Sequence, residues 1–120
     1  MEQYTELYKG EKLKLYGQKE YIYGSIITIK IYLSDFSGLG MFYVNDDDLV
    51  TYLDKLDYMN KKLSGECIIK DNESTNYCHI YFEERNLYID GSFTYNDETL
   101  KFKAIADQTV LEPIINLLKS

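Results

Sequence analysis

The residues that could carry acid–base or nucleophilic chemistry are few in this chain and far apart. His79 is the only histidine, and it lies beside Cys78 in the strand-like run NYCHIYF. Adjacent side chains of a strand point to opposite faces of the sheet, so Cys78 and His79 cannot act together as nucleophile and base. We therefore interpret His79 as a structural or exposed residue.

Paired carboxylates are the other arrangement that could support hydrolysis. The candidates are Glu83, Glu84, Asp90 and Asp107. Glu83 and Glu84 fall at an expected hairpin tip, where solvated charge is common, and no acidic pair is evident from the spacing. The sequence therefore predicts a protein without enzymatic activity.

Metal and cofactor motifs are missing from the sequence. The three consecutive aspartates at 46–48 lack the alternating spacing and central glycine of a calcium loop. There is no glycine-rich phosphate loop and no dinucleotide fingerprint. We predict neither a metal site nor a cofactor.

Two cysteines, Cys67 and Cys78, are too few for a disulfide framework and lack the paired spacing of a zinc site. Both lie in apolar strand-like runs, which favours reduced, buried packing residues. If these two runs pair as a hairpin, a disulfide is also geometrically possible.

The charge balance limits the partners. Twenty acidic residues against thirteen basic ones give a net charge of -7, and the lysines are scattered singly or in pairs such as Lys61 and Lys62. Nucleic acid binding requires a basic stripe, so we predict no nucleic acid partner. An acidic surface favours a basic partner, although acidity for solubility alone explains the composition equally well.

The compartment is predicted from apolar patterning. No segment approaches the ~18 apolar residues of a membrane span, and the first residues lack the apolar region of a secretion signal. We expect a soluble cytoplasmic protein that forms a single domain over residues 1–120.

Thirteen tyrosines without one tryptophan are the unusual feature of the composition. Tyrosine favours strands, and it also anchors interfaces through a rigid ring with a polar tip. Five of them could line the sheet face opposite the helices, interleaved with acids: Tyr21, Tyr23, Tyr32, Tyr81 and Tyr88. The alternative is that they supply only strand propensity and partial burial.

Two helices are predicted among several strands. The first begins at Asn45 or Asp46, where side-chain oxygens can cap free N–H groups, and runs to about Leu63. The second follows the strand Leu100 to Ala106, since the apolar period becomes helical after Asp107. Thr109 and Glu112 have the spacing of a capping box, and Pro113 falls in the first turn.

The strand candidates surround the first helix. The run SIITIKIYLSDF is the clearest of them, and short polar connections join four candidates after residue 65. We therefore predict an α+β fold with one antiparallel sheet of about six to seven strands. Two helices cover one face, in the order strands, helix, strands, helix.

Several segments in order resemble the WapI-type immunity proteins of bacterial contact-dependent and polymorphic toxin systems. They are the leucines of the first helix, the run Leu63-Ser64-Gly65-Glu66, the strand NLYIDG, and the passage from Leu100-Lys101-Phe102 into DQTVL. The resemblance implies a non-enzymatic inhibitor that binds a cognate toxin in the producing cell. It also implies that this toxin cleaves RNA.

The toxin-binding residues cannot be transferred from the resemblance, because its motif positions have a structural character. We predict instead that exposed acids and two tyrosine anchors contact a basic toxin domain: Asp35, Asp46, Asp47, Tyr81, Glu83, Glu84, Tyr88 and Asp90. Two alternatives remain open, a small-ligand-binding module with a pocket between sheet and helices, and a homo-oligomer that uses the tyrosine face.

Overall fold

A computed structural model describes residues 3–120. Four strands come first: β1 (Thr5–Lys9), β2 (Lys14–Tyr21), β3 (Ser25–Tyr32) and β4 (Ser37–Val44). The helix α1 (Asp46–Lys62) separates them from four more: β5 (Glu66–Lys70), β6 (Tyr77–Glu83), β7 (Asn86–Tyr95) and β8 (Glu98–Ala106). A 3₁₀ turn (Gln108–Val110) then leads into α2 (Leu111–Lys119). None of the helices within residues 3–120 combines the length and apolar character needed to cross a membrane.

The predicted α+β class with two helices is confirmed, but the prediction of a single sheet of six to seven strands is wrong. The strands form two antiparallel sheets of four, β1-β2-β3-β4 and β5-β6-β7-β8. The physical reason lies at β4, whose outer edge is hydrogen-bonded by a loop instead of by a fifth strand. Alternating apolar residues predict strands, but they do not reveal where the hydrogen-bonded ladder stops.

The inner faces of the two sheets pack against each other most closely where β4 meets β7. Phe42 of β4 and Phe93 of β7 make an edge-to-face contact with ring centroids 5.6 Å apart. Gly40 lies on the same inner face, and a Cβ atom built there would be 2.7 Å from the Phe93 ring. The close approach of the sheets therefore requires glycine at position 40.

Replacing Gly40 with alanine should lower the free energy of unfolding by about 2 kcal/mol, because the added methyl group forces Phe93 out of its packed position. Urea denaturation measures this change. The matched control is Met41→Ala at the neighbouring, outward-facing position, where the side chain is 43% exposed. Equal stability of the Gly40→Ala protein and the parent would contradict the close packing of the sheets.

The two helices pack against the sheets and complete the apolar core. Ile114, Leu117 and Leu118 of α2 are buried and line the apolar interior together with residues of both sheets. Lys19 of β2 fixes the end of α2, because its ammonium donates to the carbonyl oxygens of Leu118 and Ser120, each at 2.6 Å. α1 packs on the edge strand β5, where the hydroxyl of Tyr52 accepts a hydrogen bond from the N–H of Lys70.

The observed helix termini agree only in part with the caps predicted from the sequence. Asn45 caps α1 as predicted, since its side chain accepts a hydrogen bond from the N–H of Asp48. The predicted capping box of Thr109 and Glu112 is wrong, because α2 begins at Leu111 without a side-chain cap. Asp107 instead caps the preceding 3₁₀ turn by accepting a hydrogen bond from the N–H of Thr109 at 3.0 Å. Asp107 is thus a conformational junction between β8 and α2.

The β5–β6 loop covers the outer edge of β4. The N–H of Tyr43 donates to the Asp71 carboxylate at 2.8 Å, and the N–H of Asn72 donates to the carbonyl oxygen of Tyr43 at 3.0 Å. Asn76 is buried and connects both sheets, because its amide donates to the Met41 carbonyl of β4 and accepts from the Thr94 N–H of β7. The loop thereby satisfies the edge where a fifth strand would otherwise pair.

Both cysteines are buried free thiols on the inner side of the β5–β6 hairpin. In the ladder Cys67 pairs with Ile80 and Cys78 pairs with Ile69, so the thiols are diagonal rather than directly opposite. Desolvation by burial raises the pKa of each thiol from 9.0 to about 12. Both groups therefore stay protonated in the folded protein at neutral pH, as expected for packing residues.

This difference in pKa predicts a loss of stability at alkaline pH. Unfolded thiols lose their protons from about pH 9, whereas the buried thiols keep them until about pH 12. Unfolding therefore releases protons in this window, so the free energy of unfolding should be insensitive to the thiols below pH 9 and fall as the pH rises above it. Urea denaturation at several pH values measures the slope. Cys78→Ala should make it shallower by about 1.4 kcal/mol per pH unit, and an unchanged slope would contradict the prediction.

Candidate functional site

The outer face of the second sheet carries a compact set of aromatic and charged side chains. Strand register places Ile68, His79, Asp90 and Lys103 in one row and Glu66, Tyr81, Tyr88 and Ile105 in the next. We define the β6–β7 face as this set: Glu66, His79, Tyr81, Tyr88, Asp90 and Lys103. It lies on the side of the sheet that faces away from the core.

Three rings form a continuous stack across this face. The His79 and Tyr81 rings have centroids 4.3 Å apart and planes tilted by 30°. Tyr81 and Tyr88 stack with a centroid distance of 5.5 Å and an angle of 23°. The ammonium of Lys103 lies 5.0 Å from the Tyr88 centroid, within the range of a cation–π contact. The rings support one another, which limits the rotamers available to each of them.

A polar network crosses the same residues. His79 Nε2 is 2.8 Å from Glu66 Oε1, and His79 Nδ1 is 3.7 Å from Asp90 Oδ1. The hydroxyl of Tyr81 donates to Asp90 Oδ2 at 3.2 Å. The His79 ring is therefore held between two carboxylates, and nothing in the linear sequence points to these partners.

Tyr81 and Lys103 also influence each other's ionisation. Desolvation raises the pKa of the Tyr81 hydroxyl, and Asp90 adds to this, while the Lys103 ammonium opposes it. The pKa of Lys103 is raised, chiefly through its hydrogen bond with Tyr81. At neutral pH Tyr81 thus remains a neutral hydrogen-bond donor and Lys103 remains charged.

The structure brings together only some of the predicted contact residues. Tyr81, Glu83, Tyr88 and Asp90 share the outer side of β6 and β7, and Glu84 follows in the β6–β7 turn with a φ of 59°. Three predicted acids lie elsewhere, Asp35 in the β3–β4 connection and Asp46 and Asp47 in the first turn of α1.

The five tyrosines that could have lined one face do not share it, because the strands divide into two sheets. Tyr21 and Tyr32 lie at the ends of β2 and β3 in the first sheet, and Tyr23 lies between these strands, whereas Tyr81 and Tyr88 lie in the second sheet. Tyr23 is 94% exposed at the β2–β3 turn. The aromatic content is therefore distributed over separate surfaces.

The register of the β6–β7 hairpin is the signal that would have found the missing members of the face. Glu83 pairs with Asn86, which leaves Glu84 and Arg85 as a two-residue turn. Once that turn is fixed, the alternation of side chains brings His79 opposite Asp90 and Tyr81 opposite Tyr88. The run EERN contains no glycine to mark the turn, so its position is not evident from the sequence.

The rings and the network lie on an open sheet surface, and the larger grooves of the molecule are lined by other residues. Within residues 3–120, no group of three or more His, Cys, Asp or Glu residues has the arrangement needed to hold a metal ion. The face offers aromatic contact area, hydrogen-bond donors and acceptors, and charges of both signs.

Comparisons of the chain with protein-family models, with curated proteins and with solved structures give no match. The interpretation of the face therefore depends on its own geometry.

Proposed function

We propose that the protein is a non-enzymatic binding protein whose β6–β7 face docks onto a basic protein domain. The observation that carries this proposal is the stacked His79, Tyr81 and Tyr88 rings bordered by hydrogen-bonded carboxylates. Rings held in place by their neighbours lose little side-chain entropy on binding, which favours affinity. Tyrosine is also enriched among the residues that dominate binding energy at protein interfaces.

The partner proposed here is the one that the resemblance to WapI-type immunity proteins implies, a toxin nuclease that is neutralised in the cytoplasm of the producing cell. A nuclease that cleaves RNA needs lysines and arginines for the phosphate backbone. A protein with a net charge of -7 is attracted to such a basic cleft and competes there with RNA. Asp35, Asp46 and Asp47, remote from the face, would add long-range attraction without direct contact.

The small internal volume argues against a ligand-binding module with a pocket between sheet and helices. The apolar cavity among the two sheets and α2 measures about 20 Å³, far below the ~300–1,000 Å³ of small-molecule pockets. A homo-oligomer remains the second candidate, since the same tyrosine face would serve it. Size-exclusion chromatography with light scattering distinguishes the two: the immunity proposal expects a monomer that forms a heterodimer with the toxin domain.

The direct functional test uses the C-terminal domain of a large toxin, which the proposal expects to be encoded next to this protein's gene. We expect RNA cleavage by that domain to stop when an equimolar amount of this protein is added at micromolar concentration. Variants with substitutions at remote surface positions, such as Lys55→Ala on α1, should inhibit RNA cleavage as well as the parent protein does. Full RNA cleavage in the presence of excess protein, with the two proteins migrating separately, would overturn the proposed function.

A further inference from the structure

The two sheets have four outer edges, and three of them are protected. The β5–β6 loop covers β4, and α1 packs on β5, where the hydroxyl of Tyr52 accepts the N–H of Lys70. β1 is five residues long, and its register with β2 shifts between Glu6 and Tyr8. Short strands, irregular register and covering segments keep an edge from pairing with another chain. Within residues 3–120, the edge of β8 has none of these protections.

β8 is a long and regular edge strand. Its nine residues pair with β7 without a break in register. The turn between the two strands consists of Asn96 and Asp97, whose φ values of 53° and 64° are typical of a two-residue hairpin turn. Such a turn closes with a hydrogen bond from the N–H of Glu98 to the carbonyl oxygen of Tyr95. This bond fixes the alternation of the whole ladder.

The alternation decides which backbone groups of β8 face outward. In an antiparallel pair, every second residue bonds to the neighbouring strand, and the residues between them point their N–H and C=O groups away from it. Counted from Glu98, the outward residues of β8 are Thr99, Lys101, Lys103 and Ile105. The hydroxyls of Thr94 and Thr99 meet at 2.8 Å, as the close spacing of a non-hydrogen-bonded pair allows. No strand within residues 3–120 pairs with the outer side of β8.

Apolar surface continues to this edge on both sides of the sheet. On the inner side, Leu100 and Ala104 are only partly buried and pack against the core. On the outer side, Ile105 is 61% exposed and lies opposite Tyr88. A hollow of about 800 Å³ opens beside the start of β8, where Leu100 lines it together with Phe36. An added strand would therefore cover apolar surface and find room for its side chains.

The charges at the edge indicate a side chain of that strand. Lys103 is already engaged by the rings of the β6–β7 face. Lys101 lies opposite the uncharged Ser92 and makes no ion pair with another residue in the described part of the chain. Glu98 is at the turn and, three positions from Lys101, points to the other side of the sheet. The Lys101 ammonium is therefore the charge that a partner strand meets near the middle of β8, which favours an acidic side chain opposite it.

A second copy of the chain is a poorer partner for this edge. If two β8 strands paired antiparallel along their whole length, Phe102 would lie at the centre of the pair. Lys101 of each copy would then lie opposite Lys103 of the other. Like charges directly opposite each other destabilise a strand pair. The edge therefore favours a strand from a different protein.

We propose that the outer edge of β8 accepts an extended segment of another protein as a fifth strand of the second sheet. The segment pairs antiparallel with β8 through the outward backbone groups, as in other recognition by strand addition. It places an acidic side chain opposite Lys101, and its apolar side chains cover Leu100 and Ala104. This inference goes beyond the proposed function, because its test requires no toxin domain.

The test is an NMR titration of the ¹⁵N-labelled full chain with the peptide acetyl-Val-Thr-Val-Glu-Val-Thr-Val-amide. Its valine amides are N-methylated, so that only the edge formed by the threonine and glutamate amides can pair. We expect binding at submillimolar concentration, with the largest chemical-shift changes at residues 99–105. The isomer methylated on the threonine and glutamate amides has the same side chains. It should bind at least about tenfold more weakly, because it loses the hydrogen bonds to β8.

Substitutions in β8 then assign the roles. Lys101→Pro removes an outward N–H and spares the bonds to β7, as prolines on edge strands do, and should abolish binding. Lys101→Glu keeps the backbone groups. It should weaken binding of the peptide about threefold and strengthen binding of the version with lysine in place of glutamate. Lys70→Glu, at an exposed lysine of β5, is the matched control and should bind as the parent does.

The proposal fails if the peptide does not bind at millimolar concentration. It fails equally if the two methylated isomers bind alike, since the contact would then involve side chains and not the strand edge. Chemical shifts at residues 99–105 that depend on protein concentration without the peptide would also overturn it, because they would assign the edge to a second copy of the chain.

Discussion

Replacing Asn76 with alanine is expected to lower the free energy of unfolding by about 3 kcal/mol, the largest stability change that we predict for a single surface-loop position. The side chain is 5% exposed and makes two hydrogen bonds that connect different sheets. Its amide nitrogen donates to the Met41 carbonyl at 3.2 Å, and its oxygen accepts from the Thr94 N–H at 2.9 Å. Alanine leaves both backbone groups without their partner, and the cost of such groups exceeds the net value of a hydrogen bond.

Urea denaturation of the parent and the variant measures this effect, and the same loop supplies its control. Asn72→Ala removes an exposed amide whose residue binds β4 only through its backbone, so we expect a change of less than about 0.5 kcal/mol. Asn76→Asp keeps the acceptor for Thr94 but loses the donor to Met41. Its free energy of unfolding should therefore be lower than that of the Asn72→Ala protein. Equal stabilities of Asn76→Ala and Asn72→Ala would show that the loop does not join the sheets.

The loop also explains why the sheet arrangement was not predictable from the sequence. The run DNESTN has the composition of an ordinary hairpin connection, which it is, but Asp71 and Asn76 additionally occupy the edge of β4. Hydrogen bonds of this kind depend on the approach of segments about thirty residues apart, as between Tyr43 and Asp71. The apolar periodicity of a sequence indicates which residues face the core, but it does not indicate which edges of a sheet are covered by a loop.

The local features of the fold were easier to predict from the sequence than the sheet arrangement. Asn45 with the aspartates that follow it predicted the start of α1, because capping depends on residues within one turn. The end of β8 at Asp107 was also predictable, although the 3₁₀ turn that delays α2 was not. In α1, Leu56, Tyr52 and Met59 are buried, whereas Leu63 at the end of the helix is 47% exposed.

The candidate site was likewise predictable where it depends on local pattern and unpredictable where it depends on contacts between distant segments. Tyr81, Glu83, Tyr88 and Asp90 were recognisable as alternate residues of two strands, and the hairpin does place them on one side. Glu66 and Lys103 belong to the flanking strands β5 and β8, so their membership depends on the register of three ladders. His79 acquires its two carboxylate neighbours only through that register.

Replacing Tyr81 and Tyr88 together with alanine is expected to weaken binding of the cognate toxin domain by at least about 100-fold, since hot-spot tyrosines each contribute about 2 kcal/mol or more. Removing both rings eliminates the stack and leaves Asp90 without the hydroxyl of Tyr81. Most of the loss should appear in the dissociation rate, because the contact area and not the long-range attraction has been removed. Surface plasmon resonance with the immobilised toxin domain measures both rates.

The matched control is Tyr58→Ala on α1, which removes a tyrosine that is 55% exposed and lies outside the β6–β7 face. We expect it to bind as the parent does. The triple variant Asp35→Asn, Asp46→Asn and Asp47→Asn should lower mainly the association rate and its salt dependence, as charges beyond an interface do. A Tyr81 and Tyr88 double variant that binds as tightly as the Tyr58→Ala protein would place the interface elsewhere.

The proposed interface is tested most directly by mapping the amide chemical shifts of the ¹⁵N-labelled protein on addition of the unlabelled toxin domain. We predict that the largest changes and line broadening fall on residues 79–90 and 101–105, with little change in β2 and β3. Changes confined to the first sheet, or an unchanged spectrum at micromolar excess of the toxin domain, would contradict binding through the β6–β7 face.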